Sequence, residues 1–193
     1  MAEMLEIRWH GRGGQGAKTA SILLGEAAAA AGKYIQAFPE YGPERMGAPV
    51  TSYNRLSDEP IRLNCSVTNP KYVVILDPTL IGSSVDVLDG VGDDGVFLVN
   101  TDMSIEDMRK KLGVSDKQDV YVINANKISL ETIKRAIPNT PMLGALVRVT
   151  NMLSLEDLLE DTRRKLEKKF RNKPEIIDGN MEAITRAYQE VKD

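Results

Sequence analysis

Apolar positions along this chain change period several times, which predicts alternating strands and helices packed around one sheet. Leu5, Ile7 and Trp9 alternate with polar residues, the pattern of a half-buried strand. Ala20, Leu23, Leu24, Ala27 and Ala31 then recur at helical spacing, giving an alanine-rich helix from about Ala17 to Ala31 that Gly32 ends. Its small side chains predict close packing against the sheet. Tyr34 to Phe38 reads as a second strand, and Pro39 to Pro49 holds too much Pro and Gly for regular structure, so a shaped loop is expected there. Val50 to Leu56 and Pro60 to Leu63 read as short extended segments, joined into a hairpin by Ser57-Asp58-Glu59-Pro60.

Further on, Tyr72 to Leu76, Val96 to Val99 and Val120 to Ile123 are continuous apolar runs, which predict central strands covered on both faces. Ser104-Ile105-Glu106-Asp107 has the form of a capped helix start before Met108 and Leu112. Leu130 to Ile137 suits another helix, stopped by Pro138, and Asn139-Thr140-Pro141 opens one that runs to Met152. Ser154 begins a helix with Leu155, Leu158, Leu159, Thr162, Leu166 and Phe170 on one face, and Met181, Ile184, Tyr188 and Val191 line the last helix. The expected fold is α/β: a largely parallel, Rossmann-like sheet flanked by helices, with a hairpin insertion and a helical C-terminus, in one domain over residues 1–193.

Composition narrows the function classes. With 25 Lys and Arg against 28 Asp and Glu, the formal net charge is −3, so no global positive field favours a nucleic acid or an anionic membrane. No apolar run approaches the roughly 18 to 20 residues needed to cross a bilayer, and no secretory signal pattern opens the chain, which reads as cytoplasmic. Cys65 is the one cysteine and His10 the one histidine. A lone thiolate cannot supply the ligands of an iron–sulfur cluster, and Cys-rich or His-rich metal sites are excluded by count. Both residues read as structural.

The sharpest local signal is Gly11-Arg12-Gly13-Gly14-Gln15-Gly16, which follows a strand and opens a helix. Glycines there allow close backbone approach, the first helix amides favour an anion, and Arg12 and Lys18 add positive charge. Taken literally, Gly11, Gly13 and Gly16 match a dinucleotide fingerprint, which requires a carboxylate at the end of the second strand. Gln36, Ala37 and Phe38 stand there instead, with Glu40 just beyond. Two readings stay open: the glycines let helix and strand pack, or the turn meets an anion or a partner.

Gly11 to Ala17 before an alanine-rich helix, then Gln36-Ala37-Phe38-Pro39-Glu40-Tyr41-Gly42-Pro43-Glu44-Arg45-Met46-Gly47-Ala48-Pro49-Val50, then Asn139-Thr140-Pro141-Met142-Leu143-Gly144-Ala145-Leu146, closely resemble gamma subunits of the 2-oxoacid:ferredoxin oxidoreductase family, of the pyruvate type. The resemblance implies a multisubunit enzyme that decarboxylates a 2-oxoacid on thiamine diphosphate, sends electrons through [4Fe–4S] clusters to ferredoxin, and passes the acyl group to coenzyme A. It places thiamine diphosphate, Mg²⁺ and the clusters in partner subunits of alpha, beta and delta type, with no activity expected of this chain alone. Arg12, Lys18 and Arg45 are then candidates for a phosphate of coenzyme A or a partner carboxylate, and Glu40 and Glu44 for shaping the loop or binding partner cations. No catalytic residue is assigned. Alternatives are a stand-alone nucleotide-binding oxidoreductase and a purely structural assembly subunit. Asp93-Asp94 reads as a turn, and Arg163-Arg164-Lys165 with Lys168-Lys169 as the wet side of a helix.

Overall fold

The computed structural model describes residues 4–40, 46–171 and 173–192. In chain order the elements are β1 (Leu5–Arg12), α1 (Ala17–Ala30), β2 (Tyr34–Pro39), β3 (Pro49–Ser57), β4 (Tyr72–Ile75), a 3₁₀ turn (Pro78–Leu80), β5 (Val96–Asn100), α2 (Ile105–Leu112), β6 (Asp119–Ile123), α3 (Ala125–Ile133), α4 (Asn139–Thr150), α5 (Leu155–Lys169) and α6 (Pro174–Glu190). They build a 6-stranded sheet in the order β2-β3-β1-β4-β5-β6. β1, β4, β5 and β6 pair in parallel, while β3 runs against both β1 and β2. The expected α/β sheet with flanking helices is therefore present, with its antiparallel part built from β2 and β3.

That part differs from the expected hairpin. β3 lies between β1 and β2, pairing Arg8 with Tyr53 on one side and Phe38 with Tyr53 on the other. Residues 60–63 form no strand. The chain there is held by side chains of the sheet instead: Gln36 Nε2 donates to the Leu63 carbonyl (2.7 Å), and the buried Arg55 guanidinium donates to the carbonyls of Cys65 (2.7 Å) and Ser66 (3.0 Å) just beyond. Polar side chains of the sheet take up the backbone acceptors that a returning strand would need.

On one face, Ile7, Trp9, Val74, Leu76 and Leu98 meet α1, α3, α4, α5 and α6 in a single apolar core. Ala20, Ala27 and Ala28 of α1 are buried there, as their spacing predicts. α4 is enclosed almost all round, because Thr140 to Val147 are buried. Its closest neighbour is α6: a Cβ on Gly144 would stand 2.1 Å from the Ile184 carbonyl oxygen, so only glycine lets these helices approach so far. The other face of β4, β5 and β6 carries Val73, Ile75, Phe97, Val99, Val120 and Val122, covered by α2 and by the β4–β5 connection through Leu80 and Val87.

Both ends of α3 and the place of β6 depart from the sequence reading. α3 starts at Ala125 because the Asn124 side chain accepts from Lys127 N, and it ends where Lys134 turns left-handed (φ 58°), before Pro138. β6 is an edge strand, closed by a single bridge between Val122 and Lys192. Its apolar run reflects cover on both faces, which a run alone cannot distinguish from a central place in the sheet. By contrast the Ser104 and Ser154 caps form as predicted, each hydroxyl accepting from the amide of the Asp three residues on.

The Gly144 contact carries a prediction. Gly144→Ala must push α4 from α6, so thermal unfolding followed by circular dichroism should show a loss of about 1–3 kcal/mol, the range for overpacking a tight interior.

Candidate functional site

Residues far apart in sequence meet at the end of β1. Gly13 N donates to the Ala48 carbonyl (2.9 Å) and Gly47 N to the Gly13 carbonyl (3.1 Å), so the turn before β3 is bonded to the glycine turn. Gly16 caps α1 in the left-handed region (φ 85°), and a Cβ there would come within 2.8 Å of Asn139 Nδ2. An L side chain at Gly16 would thus meet both backbone strain and the start of α4. Described residues from each of the three stretches that carry the family resemblance thus meet at the glycine turn: Gly13 and Gly16, Gly47 and Ala48, and Asn139.

A carboxylate organises this corner. Asp77, at the end of β4, accepts from Thr79 N (2.9 Å) and Thr79 Oγ1 (2.7 Å) through Oδ1, and from Gln15 Nε2 (2.7 Å) through Oδ2. Arg12 Nε lies 3.3 Å from the same Oδ2. Gln15 in turn accepts from Arg12 N through Oε1 (2.7 Å). The Arg12 guanidinium also donates to Thr79 Oγ1 (3.0 Å) and to the Gly47 carbonyl (3.2 Å). Burial opposes ionisation of Asp77, but hydrogen bonds from Thr79 and Gln15 and the charge of Arg12 outweigh it and lower its pKa. Sequence reasoning passed over Asp77 and Thr79; the available signal was Asp77-Pro78-Thr79 after an apolar strand, a typical side-chain-capped turn.

What this corner presents outward is cationic and backbone-rich. α1 starts with no side-chain cap and no acidic residue in its first turn, so no side chain of its own offsets the positive end of the helix dipole. A cleft of about 440 Å³ lies here, lined by Arg12, Gly13, Gly14, Gly16, Lys18 and Met46 among others. Lys18 is exposed and has no ion pair among the described residues, and Met46 is 94% exposed. Glu44 and Arg45 lie outside the described residues. A larger cleft, about 890 Å³, opens between Thr101–Ile105, Asn124 and Gln189–Lys192. It shares no lining residue with the cleft at the glycine turn, and none of the resemblance-bearing stretches lines it.

Beneath the turn the sheet is polar. His10 is 3% exposed and both its ring nitrogens are buried without a protein hydrogen-bond partner. Burial, reinforced by the Arg8 charge, pulls its pKa down to about 3, so it is a neutral residue at ordinary pH. Arg8 is buried beside it and ties the β4–β5 connection to β1 by donating to the Val87 carbonyl (3.1 Å). Tyr53 donates to Glu40 Oε2 (2.8 Å), and burial together with that bond raises the phenol pKa to about 12. Glu40 is thus held by its own chain at the end of β2.

These contacts bear on the nucleotide reading. A dinucleotide site needs the second strand beside the first, with a carboxylate at its tip. Here β3 separates β2 from β1, so that tip is roughly one strand spacing, about 4.8 Å, further from the glycine turn. The sequence holds one cysteine, and no cluster of three His, Cys, Asp or Glu that could hold a metal occurs among the described residues. The other charged stretches are engaged internally. Asp93 and Asp94 pair with Lys117 and Lys71, Arg163 pairs with Asp178, and Lys165 pairs with Glu26 and Asp161.

Comparison with known proteins is decisive at this point. The family model for pyruvate ferredoxin/flavodoxin oxidoreductase matches residues 6–190. The chain belongs to the pyruvate ferredoxin/flavodoxin oxidoreductase family. Among curated members of that family, it is 52% identical over 187 residues to pyruvate synthase subunit PorC of Thermotoga maritima, covering 97% of this chain and 94% of that one. It is 40% identical over 189 residues to the pyruvate/ketoisovalerate oxidoreductases common subunit gamma of Pyrococcus furiosus, covering 98% of each. The crystal structure of pyruvate oxidoreductase subunit PORC of Thermotoga maritima superposes with a TM-score of 0.85 at 49% identity, over 98% of each chain. The pyruvate ferredoxin/flavodoxin oxidoreductase fold therefore extends along the chain, and no helix among its described residues is long and apolar enough to cross a membrane.

The buried imidazole gives a pH test. Unfolded His10 takes up a proton near pH 6.5, whereas the folded residue resists it until about pH 3, so stability present above 6.5 is lost as pH falls between those values. Denaturant titrations should show wild-type stability falling more steeply over that window than that of His10→Gln, by about 1.4 kcal/mol per pH unit at most. Equal slopes would contradict the assignment.

Proposed function

We propose that this chain is the gamma subunit of a cytoplasmic pyruvate:ferredoxin oxidoreductase, acting as one domain over residues 1–193. The complex converts pyruvate and coenzyme A to acetyl-CoA, CO₂ and reduced ferredoxin, or runs in reverse. Thiamine diphosphate, Mg²⁺ and the [4Fe–4S] clusters reside in the alpha, beta and delta type subunits. End-to-end likeness to a pyruvate synthase subunit supports pyruvate as substrate. The likeness to a gamma subunit common to pyruvate and ketoisovalerate enzymes supports a substrate pocket that lies mainly outside this chain.

The role follows from the convergence of the three resemblance-bearing stretches on one cationic corner. A chain without redox ligands contributes by closing over neighbours that have them. In this reading the glycine turn and the Pro39 to Pro49 loop meet the cofactor-bearing subunits, exclude water and place the acceptor thiol of coenzyme A. Arg12, Lys18 and Arg45 supply positive charge to a coenzyme A phosphate or a partner carboxylate. Glycine backbone at the contact lets a partner approach main-chain amides directly.

One observation favours a second reading. Arg12 is bonded to Asp77, Thr79 and Gly47 within its own chain, as a purely structural arginine would be. Turnover of the assembled complex separates the two. On the lid reading, Arg12→Ala and Arg45→Ala assemble normally but lower kcat/KM for coenzyme A about tenfold or more, the loss of at least one charge-assisted contact. Normal assembly with parental turnover in both variants would leave only the structural role.

A further inference from the structure

We propose that Asp77 is the positioning residue of the glycine turn, setting the face that this corner offers to the rest of the complex. The proposal rests on the lid reading above and adds a residue from a different strand to it. Asp77 belongs to the β4 junction, while the turn belongs to the β1 junction, 62 positions away along the chain for Gln15. Nothing in the local sequence of the turn calls for a carboxylate. The turn is nonetheless built on one.

The argument is one of hydrogen-bond polarity. Gln15 has a donor end and an acceptor end, and only one orientation serves both neighbours: Oε1 takes the Arg12 amide at 2.7 Å and Nε2 gives to Asp77 Oδ2 at 2.7 Å. The same Oδ2 stands 3.3 Å from Arg12 Nε. Asp77 Oδ1 meanwhile orients Thr79, whose hydroxyl donates to it at 2.7 Å and accepts from Arg12 at 3.0 Å. Arg12 is therefore fixed at its backbone through Gln15 and at its guanidinium both directly and through Thr79. The Asp77 side chain is only 12% exposed and its bond from Gln15 is partly buried, whereas the contacts through Thr79 are open to water. Each guanidinium nitrogen of Arg12 is engaged, which leaves one N–H on Nη1 and one on Nη2 for a partner and little side-chain freedom to lose on meeting one.

The polarity also provides the test. Asp77→Asn turns its N–H either toward Gln15 Nε2 or toward the Thr79 amide, both of which need an acceptor, so no rotation of the new amide satisfies both with Gln15 in place. Gln15→Glu alone sets two carboxylates against each other. Together, however, Asp77→Asn and Gln15→Glu restore the pairs with residue 15 and with Thr79: a carboxylate at position 15 accepts from the Arg12 amide and from the new side-chain amide, the side-chain oxygen left at position 77 accepts from Thr79, one negative charge stays beside Arg12, and Arg12 Nε keeps Thr79 Oγ1 as its acceptor (3.3 Å).

Complexes assembled with each single variant, with the double variant and with Arg12→Ala should be assayed for kcat/KM toward coenzyme A. Each single change is expected to lower it about tenfold, and the double variant to recover most of the loss. Impaired Arg12→Ala with unimpaired Asp77→Asn would overturn the role of Asp77 and leave the lid intact. Unimpaired Arg12→Ala would remove the lid reading and this proposal with it. An impaired Asp77→Asn that Gln15→Glu does not rescue would also overturn it. If Asp77→Asn fails to assemble, Thr79→Val, which strips the bridging hydroxyl alone, carries the test: reduced kcat/KM supports the proposal, and parental kcat/KM refutes it.

Discussion

A charged carboxylate held at the seam between two strand ends is the interaction on which the functional corner depends. Asp77 joins the β1 and β4 junctions, and its partners Gln15, Arg12 and Thr79 set the path of the turn between β1 and α1. Backbone bonds from Gly13 and Gly47 then hang the turn before β3 on that path, and Asn139 packs against Gly16. Without the carboxylate, three donors would converge with no common acceptor, each losing a hydrogen bond in a partly buried place. The fold can carry this cost-sensitive polar cluster because the apolar core lies elsewhere, against the helical face of the sheet.

The second constraint is the insertion of β3 between β1 and β2. It converts what begins as a dinucleotide-type βαβ start into a different surface, with β2 displaced to the sheet edge. It also lines one face with Arg8, His10, Tyr53 and Arg55, a buried polar layer where the parallel half has valines and phenylalanine. Arg55 anchors residues Cys65 and Ser66, and Arg8 anchors Val87, so long connections are held by single guanidinium groups. This is economical because arginine offers several donors from one side chain. The polar layer thus fixes these long connections with side chains of the sheet itself.

Local features were legible in the sequence to the extent that local physics decides them. β1 by alternation, α1 by alanine spacing, and α2 and α5 by Ser caps three residues before Asp all appear as read. The glycine turn and its cationic neighbours Arg12 and Lys18 were also found, because turn chemistry is written in consecutive residues. Long-range pairing was not. Nothing near Pro60 reveals that Arg55 and Gln36 will take its neighbours' carbonyls, and nothing near Gly11 names Asp77. The place of β6 at the sheet edge was equally hidden, since apolar runs report cover and not neighbours. The start of α3 was missed because Asn124 is a weak mark until its side chain is seen to cap Lys127 N. Resemblance at the level of whole stretches supplied the family, but none of these contacts.

The central claim is that the glycine turn and the first turn of α1 are buried by partner subunits in the working enzyme. Hydrogen–deuterium exchange of the amides from Gly13 to Thr19, compared between the isolated chain and the assembled complex, measures this most directly. Strong slowing of exchange at these amides on assembly, beyond any change at Asp93 and Asp94 on a turn outside this corner, is the result the account predicts. Equal exchange at Gly13 to Thr19 in the two states would contradict it.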